Sequence, residues 1–158
     1  MFHNFLPRRF IFNGVDMRIL LSSKDNGGQF SLIQGIVPPG GGGGLHVHAL
    51  EDETMHLLEG ELDVTIGGET FALRAGETYF APRNVPHGLH NRTDRPARGL
   101  VVTTPGGFDR FIAQAGIPLS DTDSIPAGKP PTEAEMGHLL TLATEFGITI
   151  LEGPAGPN

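Results

Sequence analysis

Gly40 to Gly60 reads GGGGGLHVHALEDETMHLLEG, and the phase of its second half decides the fold. From Glu53 onward the chain has a period of two. Glu53, Met55 and Leu57 share one face, while Thr54, His56 and Leu58 share the other. Gly60 turns the chain, and Leu62, Val64 and Ile66 then alternate with Glu61, Asp63 and Thr65 as a half-buried strand. In the first half, His46 and His48 stand at i and i+2, so in a strand both imidazoles face the same side. Glu53 shares its stripe with Met55 and Leu57. A carboxylate on a core-facing stripe is costly unless something compensates its charge, and a divalent cation is the simplest compensation.

A third imidazole comes from a second punctuated run, GETYFAPRNVPHGLHN, Gly76 to Asn91. There His87 opens a strand after the Pro82 to Pro86 turn, with Leu89 and Asn91 on its face. A lone histidine on a strand is more often a surface or satisfied core residue than a ligand; a set of them converging on a carboxylate is another matter. Three imidazoles and one carboxylate, His46, His48, Glu53 and His87, suit iron, manganese, nickel, cobalt, copper or zinc and leave coordination positions open. His56 and His90 fall on the opposite strand faces and read as outer-face residues; His3 and His138 lie outside the strand series.

The flanking sequence extends the β pattern. Phe10–Phe12 and Met17–Leu21 are strand-like around an Asn13-Gly14 turn, and Gln29–Val37 alternates after a turn at Lys24–Gly28. Pro38, Pro39 and the glycine run interrupt regular structure. The run lacks the Gly-Lys-Ser/Thr ending of a phosphate loop. It reads as a side-chain-free approach to His46 that can flex near a barrel mouth. Glu69–Leu73, Thr78–Ala81, His87–Asn91 and Gly99–Thr104 continue the series, and closely spaced strands without helices between them indicate an antiparallel barrel or sandwich.

After Pro105 the pattern becomes helical. Phe108, Phe111, Ile112 and Ala115 form one stripe; Ser120–Pro131 is a polar connector. Thr132-Glu-Ala-Glu135 is a capping box ahead of Met136, Leu139, Leu140 and Ala143. Residues 1–104 are thus expected to form the barrel with its N-terminal strands, and residues 105–158 a helical extension and tail packed on it.

With 158 residues the chain is long enough to bury a substantial core. The absence of cysteine excludes disulfides and thiolate metal ligands. A net charge of −7 argues against nonspecific nucleic-acid binding and against docking on acidic lipid. No charged segment followed by an apolar run opens the chain, and no apolar run approaches the roughly 18–20 residues that span a bilayer. A cytoplasmic protein with a small-molecule partner is the expectation.

Gly40-x5-His46-x-His48-x4-Glu53-x6-Gly60 resembles the first cupin motif, and Gly76-x5-Pro82-x-Asn84-x2-His87-x3-Asn91 resembles the second. Asn84 stands where the family usually has glycine; asparagine tolerates the left-handed conformation better than most residues. The resemblance implies an all-β, antiparallel jelly-roll barrel with a short C-terminal helical extension, and His46, His48, Glu53 and His87 as metal ligands. The tail, from Pro105-Gly-Gly-Phe108 to Glu152-Gly-Pro154, resembles small bacterial cupins of the quercetin-dioxygenase-like kind.

That resemblance implies a metal-dependent, dioxygenase-like oxidoreductase with Glu53 as ligand and base. Met55, Leu57, Phe80 and Leu89 are the expected pocket residues. A metal-dependent isomerase or lyase, and a non-catalytic small-molecule-binding barrel, are the alternatives; the apolar inward positions favour an apolar or aromatic substrate over a sugar phosphate. Family members commonly pair through barrel edges, which implies a homodimer.

Overall fold

In the computed structural model, residues 7–125 and 132–152 are described. The strands are β1 (Arg8–Phe12), β2 (Val15–Leu21), β3 (Ser31–Val37), β4 (His46–His48), β5 (Asp52–Glu59), β6 (Glu61–Ile66), β7 (Glu69–Arg74), β8 (Thr78–Ala81), β9 (His87–His90) and β10 (Ala97–Thr104). The C-terminal part supplies helix α1 (Phe108–Ala115), β11 (Ile117–Leu119), helix α2 (Glu133–Glu145) and β12 (Ile148–Ile150). A seven-stranded sheet has the order β11-β1-β2-β3-β10-β5-β8, and a five-stranded sheet the order β12-β4-β9-β6-β7. Both sheets are antiparallel, and together they form the jelly-roll barrel.

Alternation sets which residues enter the barrel. In β5, Glu53, Met55 and Leu57 are buried while Thr54, His56 and Leu58 are half-buried. Register then carries the stripe across the large sheet: Ile33 lies opposite Val101, Val101 opposite Met55, and Met55 opposite Tyr79. Leu62 and Val64 fill the core from the facing sheet. Each such fully buried branched side chain contributes about 1.5–3 kcal/mol.

The C-terminal part joins the sheets rather than only lying on them. After α1, Ile117–Leu119 adds an edge strand to β1. Pro118 sits there because an edge strand need not donate on both sides. β12 pairs with β4, aligning Ile148 with His48 and Ile150 with His46. The capping box at Thr132 and Glu135 starts α2. Leu140, expected in its apolar stripe, is 44% exposed, and Leu142 is buried in its place. β3 begins at Ser31 rather than Gln29, because the Asn26 side chain binds the Gln29 and Phe30 amides and holds them in the turn. Residues 1–6, with His3, lie outside the described residues, as do residues 126–131 of the connector and the tail beyond Glu152.

The glycine run is tied down, contrary to the expectation of a flexing loop. Gly40 N–H donates to the Asn91 carbonyl, Asn91 N–H to the Gly41 carbonyl, and Leu89 N–H to the Gly43 carbonyl, at 2.8, 2.8 and 3.0 Å. The run is therefore an irregular ladder beside β9. At Gly42, φ is +152° and a Cβ would lie 2.1 Å from the Leu89 carbonyl oxygen. At Gly43 a Cβ would meet only His46 Cε1, at 3.9 Å. Gly42→Ala is expected to destabilise the protein by about 1–3 kcal/mol, and Gly43→Ala by no more than about 0.5 kcal/mol, read as the difference in urea midpoints.

Candidate metal centre

The four candidate ligands come from both sheets. His46 and His48 stand on β4 and His87 on β9, in the five-stranded sheet, where His46 and His87 are directly paired. Glu53 reaches toward them from β5 in the seven-stranded sheet. The turn before β9 is closed by Asn84 at φ +65°, with its N–H donating to the His48 carbonyl, so it also braces β4. Asn91 is structural: its amide donates to the Val37 and Arg95 carbonyls, and its oxygen accepts from Thr93.

One potential ligand atom from each of the four residues lies within 4.8 Å of the others. His48 and His87 present Nε2 to Glu53 Oε2, each at 3.6 Å. The far side of each ring is occupied. His46 Nδ1–H donates to the Gly44 carbonyl at 2.7 Å, and His87 Nδ1–H to the Val85 carbonyl at 3.0 Å. A carbonyl only accepts, so these contacts assign the proton to Nδ1 and leave the Nε2 lone pair free. His48 Nδ1 contacts Glu51 Oε2 at 3.2 Å. His48 Nε2 and His87 Nε2 are buried with no hydrogen-bond partner among the described residues. Buried polar atoms are rarely left so, and lone pairs converging beside a carboxylate fit a divalent cation. His46, His48, Glu53 and His87 would hold it.

The electrostatics agree. Burial pushes the Glu53 carboxyl up, but the adjacent imidazoles of His87, His48 and His46 outweigh it and hold it well below the usual carboxylate range. Burial lowers His87, yet Glu53 more than reverses this and raises it above 6.5. His46 is driven down to about 4 by burial and by His87, so it is neutral at pH 7. Tyr79 is pushed well above 10 by burial and by Glu53, whose Oε1 accepts its hydroxyl proton.

An apolar cavity opens over this floor. Met55 and Leu89 line it as expected, along with Phe12, Met17, Val37 and Val101. Phe108 and Phe111 of α1, Met136 and Leu139 of α2, and Ile148 and Ile150 of β12 complete its wall. Two expected pocket residues are displaced. Phe80 is 56% exposed on the outer face, because Tyr79 and Ala81 are the inward residues of β8. Leu57 is fully buried but lies one pair further along β5, in the closed core, and does not border the cavity. Of the other histidines, His56 bonds Thr78 Oγ1 at the surface, His90 bonds the Gly40 carbonyl, and His138 is exposed.

Sequence reasoning missed two residues behind the ligands. Tyr79, the chain's one tyrosine, supplies the donor that a buried carboxylate needs. Glu51 shares the phase of Glu53 and faces the back of His48. Glu51 was readable as a polar group in phase with the inward stripe of Glu53, Met55 and Leu57; Tyr79 lies in a strand too short to show its phase.

The cupin domain model matches residues 34–103, which contain all four candidate ligands. The chain thus carries a cupin domain over those residues. Over 93 residues it is 32% identical to the polyketide synthase CurC of Streptomyces cyaneus, covering 58% of this chain and 60% of that protein. Over 102 residues it is 30% identical to the quercetin 2,3-dioxygenase of Bacillus subtilis strain 168, covering 64% of this chain and 30% of the dioxygenase. The chain thus spans at most 60% of the length of these curated relatives. The solved structure of the polyketide cyclase RemF from Streptomyces resistomycificus is similar with a TM-score of 0.56 at 26% identity, covering 66% of this chain and 78% of that one. Among the described residues no helix is long and apolar enough to cross a membrane.

Metal affinity should fall with acid. Binding requires neutral imidazoles; His87, raised above 6.5, takes a proton first as pH drops, while Glu53 stays ionised and His46, at about 4, does not compete. Cobalt titrations from about pH 8 down to about pH 5.5 are expected to show steadily weaker binding, and His48→Ala or His87→Ala to show none at either end.

Proposed function

We propose that the protein is a metal-dependent, dioxygenase-like oxidoreductase acting on a small apolar or aromatic substrate that carries an enol or phenol oxygen. The observation that supports this reading most is the site's composition: a three-histidine, one-glutamate floor beneath an apolar wall, with no lysine or arginine lining it among the described residues. Such a wall suits an aromatic body and offers no cation to a phosphate. A divalent transition metal held by the four residues supplies Lewis acidity, which lowers the pKa of a bound enol or phenol. Glu53 is ionised at neutral pH, the state that accepts the substrate proton. Tyr79 holds one carboxylate oxygen in place, leaving the other toward the imidazoles. The aromatic wall from α1 excludes water from the bound anion, and dioxygen is its oxidant.

Likeness to CurC and to RemF supports a second reading, a non-oxidative isomerase or lyase reaction in which Glu53 moves the proton on the same floor. Oxygen uptake separates the two. The metal-loaded protein is expected to consume oxygen with a member of a panel of flavonols, catechols and β-diketones. Glu53→Gln should keep part of the metal and lose about 10²–10⁴-fold in rate. Turnover without oxygen uptake would favour the second reading, and metal-loaded protein inert toward the whole panel would leave a binding barrel.

We also propose a homodimer. On the outer face of the large sheet, Leu32, Val102, Thr54 and Phe80 form a cross-strand row, ending in the 56% exposed Phe80. A second copy covering that row removes apolar surface from water. Sedimentation is expected to give a dimer, and Phe80→Glu a monomer with unchanged metal content; a monomeric wild type would contradict the proposal.

A further inference from the structure

The three imidazoles are not supported alike. His46 and His87 lean on backbone carbonyls, whereas His48 alone leans on a side-chain carboxylate, Glu51. Glu51, just before β5, and Glu53, within it, are both buried, and His48 lies between them. Its Nδ1 is 3.2 Å from Glu51 Oε2, and its Nε2 is 3.6 Å from Glu53 Oε2. Glu51 is only 4% exposed. A carboxylate this buried, outside the candidate ligand set, calls for a reason.

Its surroundings make room for it. A Cβ at Gly107 would lie 2.3 Å from Glu51 Oε1. Gly107 has φ 173°, an extended value open to any residue, so the backbone does not demand glycine there. The missing side chain instead lets the carboxylate reach the start of α1, where the helix favours negative charge. The next residue, Phe108, sets its ring edge-on against His48, with centroids 5.1 Å apart.

We infer that Glu51 is a positioning residue: it holds His48 in the Nδ1–H tautomer, so that Nε2 presents a lone pair to the metal. This rests on the reading of His48 as a ligand. The two carboxylates compete for one ring proton. Placed on Nδ1, the proton bonds Glu51 and Nε2 is free. Placed on Nε2, it faces Glu53 and His48 cannot ligate. Glu51 decides the contest, and its charge across the hydrogen bond makes the imidazole a stronger donor. Gly107 preserves the approach, which couples α1, a wall of the substrate cavity, to one metal ligand.

Nitrogen-15 NMR of the metal-free protein reads the tautomer directly. His48 is expected as Nδ1–H in the wild type and in Glu51→Gln, which keeps an acceptor oxygen. In Glu51→Leu, and in Gly107→Val, which displaces the carboxylate, it should shift toward Nε2–H while His46 and His87 keep Nδ1–H. Cobalt affinity should fall about 10–100-fold in Glu51→Leu and less in Glu51→Gln. An Nε2–H tautomer in the wild type, or an unchanged tautomer in Glu51→Leu, overturns the inference. If the wild type takes up no cobalt, the metal reading fails, and the tautomer measurement still decides the role of Glu51.

Discussion

A carboxylate buried in one sheet faces three imidazoles carried by the other, and the rest of the molecule is arranged around that contact. An unpaired ion in a protein interior costs several kcal/mol. Glu53 is 5% exposed, and its polar neighbours are His48, His87 and Tyr79. The barrel therefore closes around a charge that only these groups, and a cation among them, can balance. The short β4 carries two of the imidazoles, and it is held between β9 and β12. The chain's last described strand thus fixes the first ligands, and the glycine ladder fixes the approach to them.

The same arrangement separates two kinds of inward position. From Glu51, just before β5, the buried side chains run through Glu53 to Met55 at the cavity wall and Leu57 in the sealed core. One strand thereby supplies candidate ligand, wall and core in sequence, at two residues per step. The helices complete the cavity from the other side with aromatic and aliphatic groups and add no cation. This makes the site a charged floor under an apolar chamber, a geometry suited to substrates whose reactive end is an oxygen and whose body is apolar.

Much of this was legible in the residues because a period of two is unforgiving. Once Glu53 is seen to share a face with Met55 and Leu57, its burial and its need for partners follow. His46, His48 and His87 then become candidates by phase. The resemblance of Gly40–Gly60 and Gly76–Asn91 to the cupin motifs supplied the barrel, which alternation alone left as barrel or sandwich. The errors have physical sources too. Four residues of β8 give little phase information, and hydrophobicity favours Phe80 as the inward ring; the need of Glu53 for a donor selects Tyr79 instead. Leu57 has the right phase but lies in the closed core beyond the cavity, a depth that alternation along the strand does not encode. β11 and β12 are three residues each, too short for a pattern, and exist because sheet edges were open to them. The glycine run looked loose because its hydrogen bonds go to residues some fifty positions away.

The central claim is that these four residues hold one metal ion through His46, His48 and His87 Nε2 and Glu53. Anomalous diffraction at the cobalt edge from crystals of cobalt-loaded protein tests it most directly. The account predicts a single strong peak at the barrel floor, contacting those three Nε2 atoms and a Glu53 oxygen, with Glu51 still on His48 Nδ1. A peak elsewhere, or none between the two sheets, would contradict it.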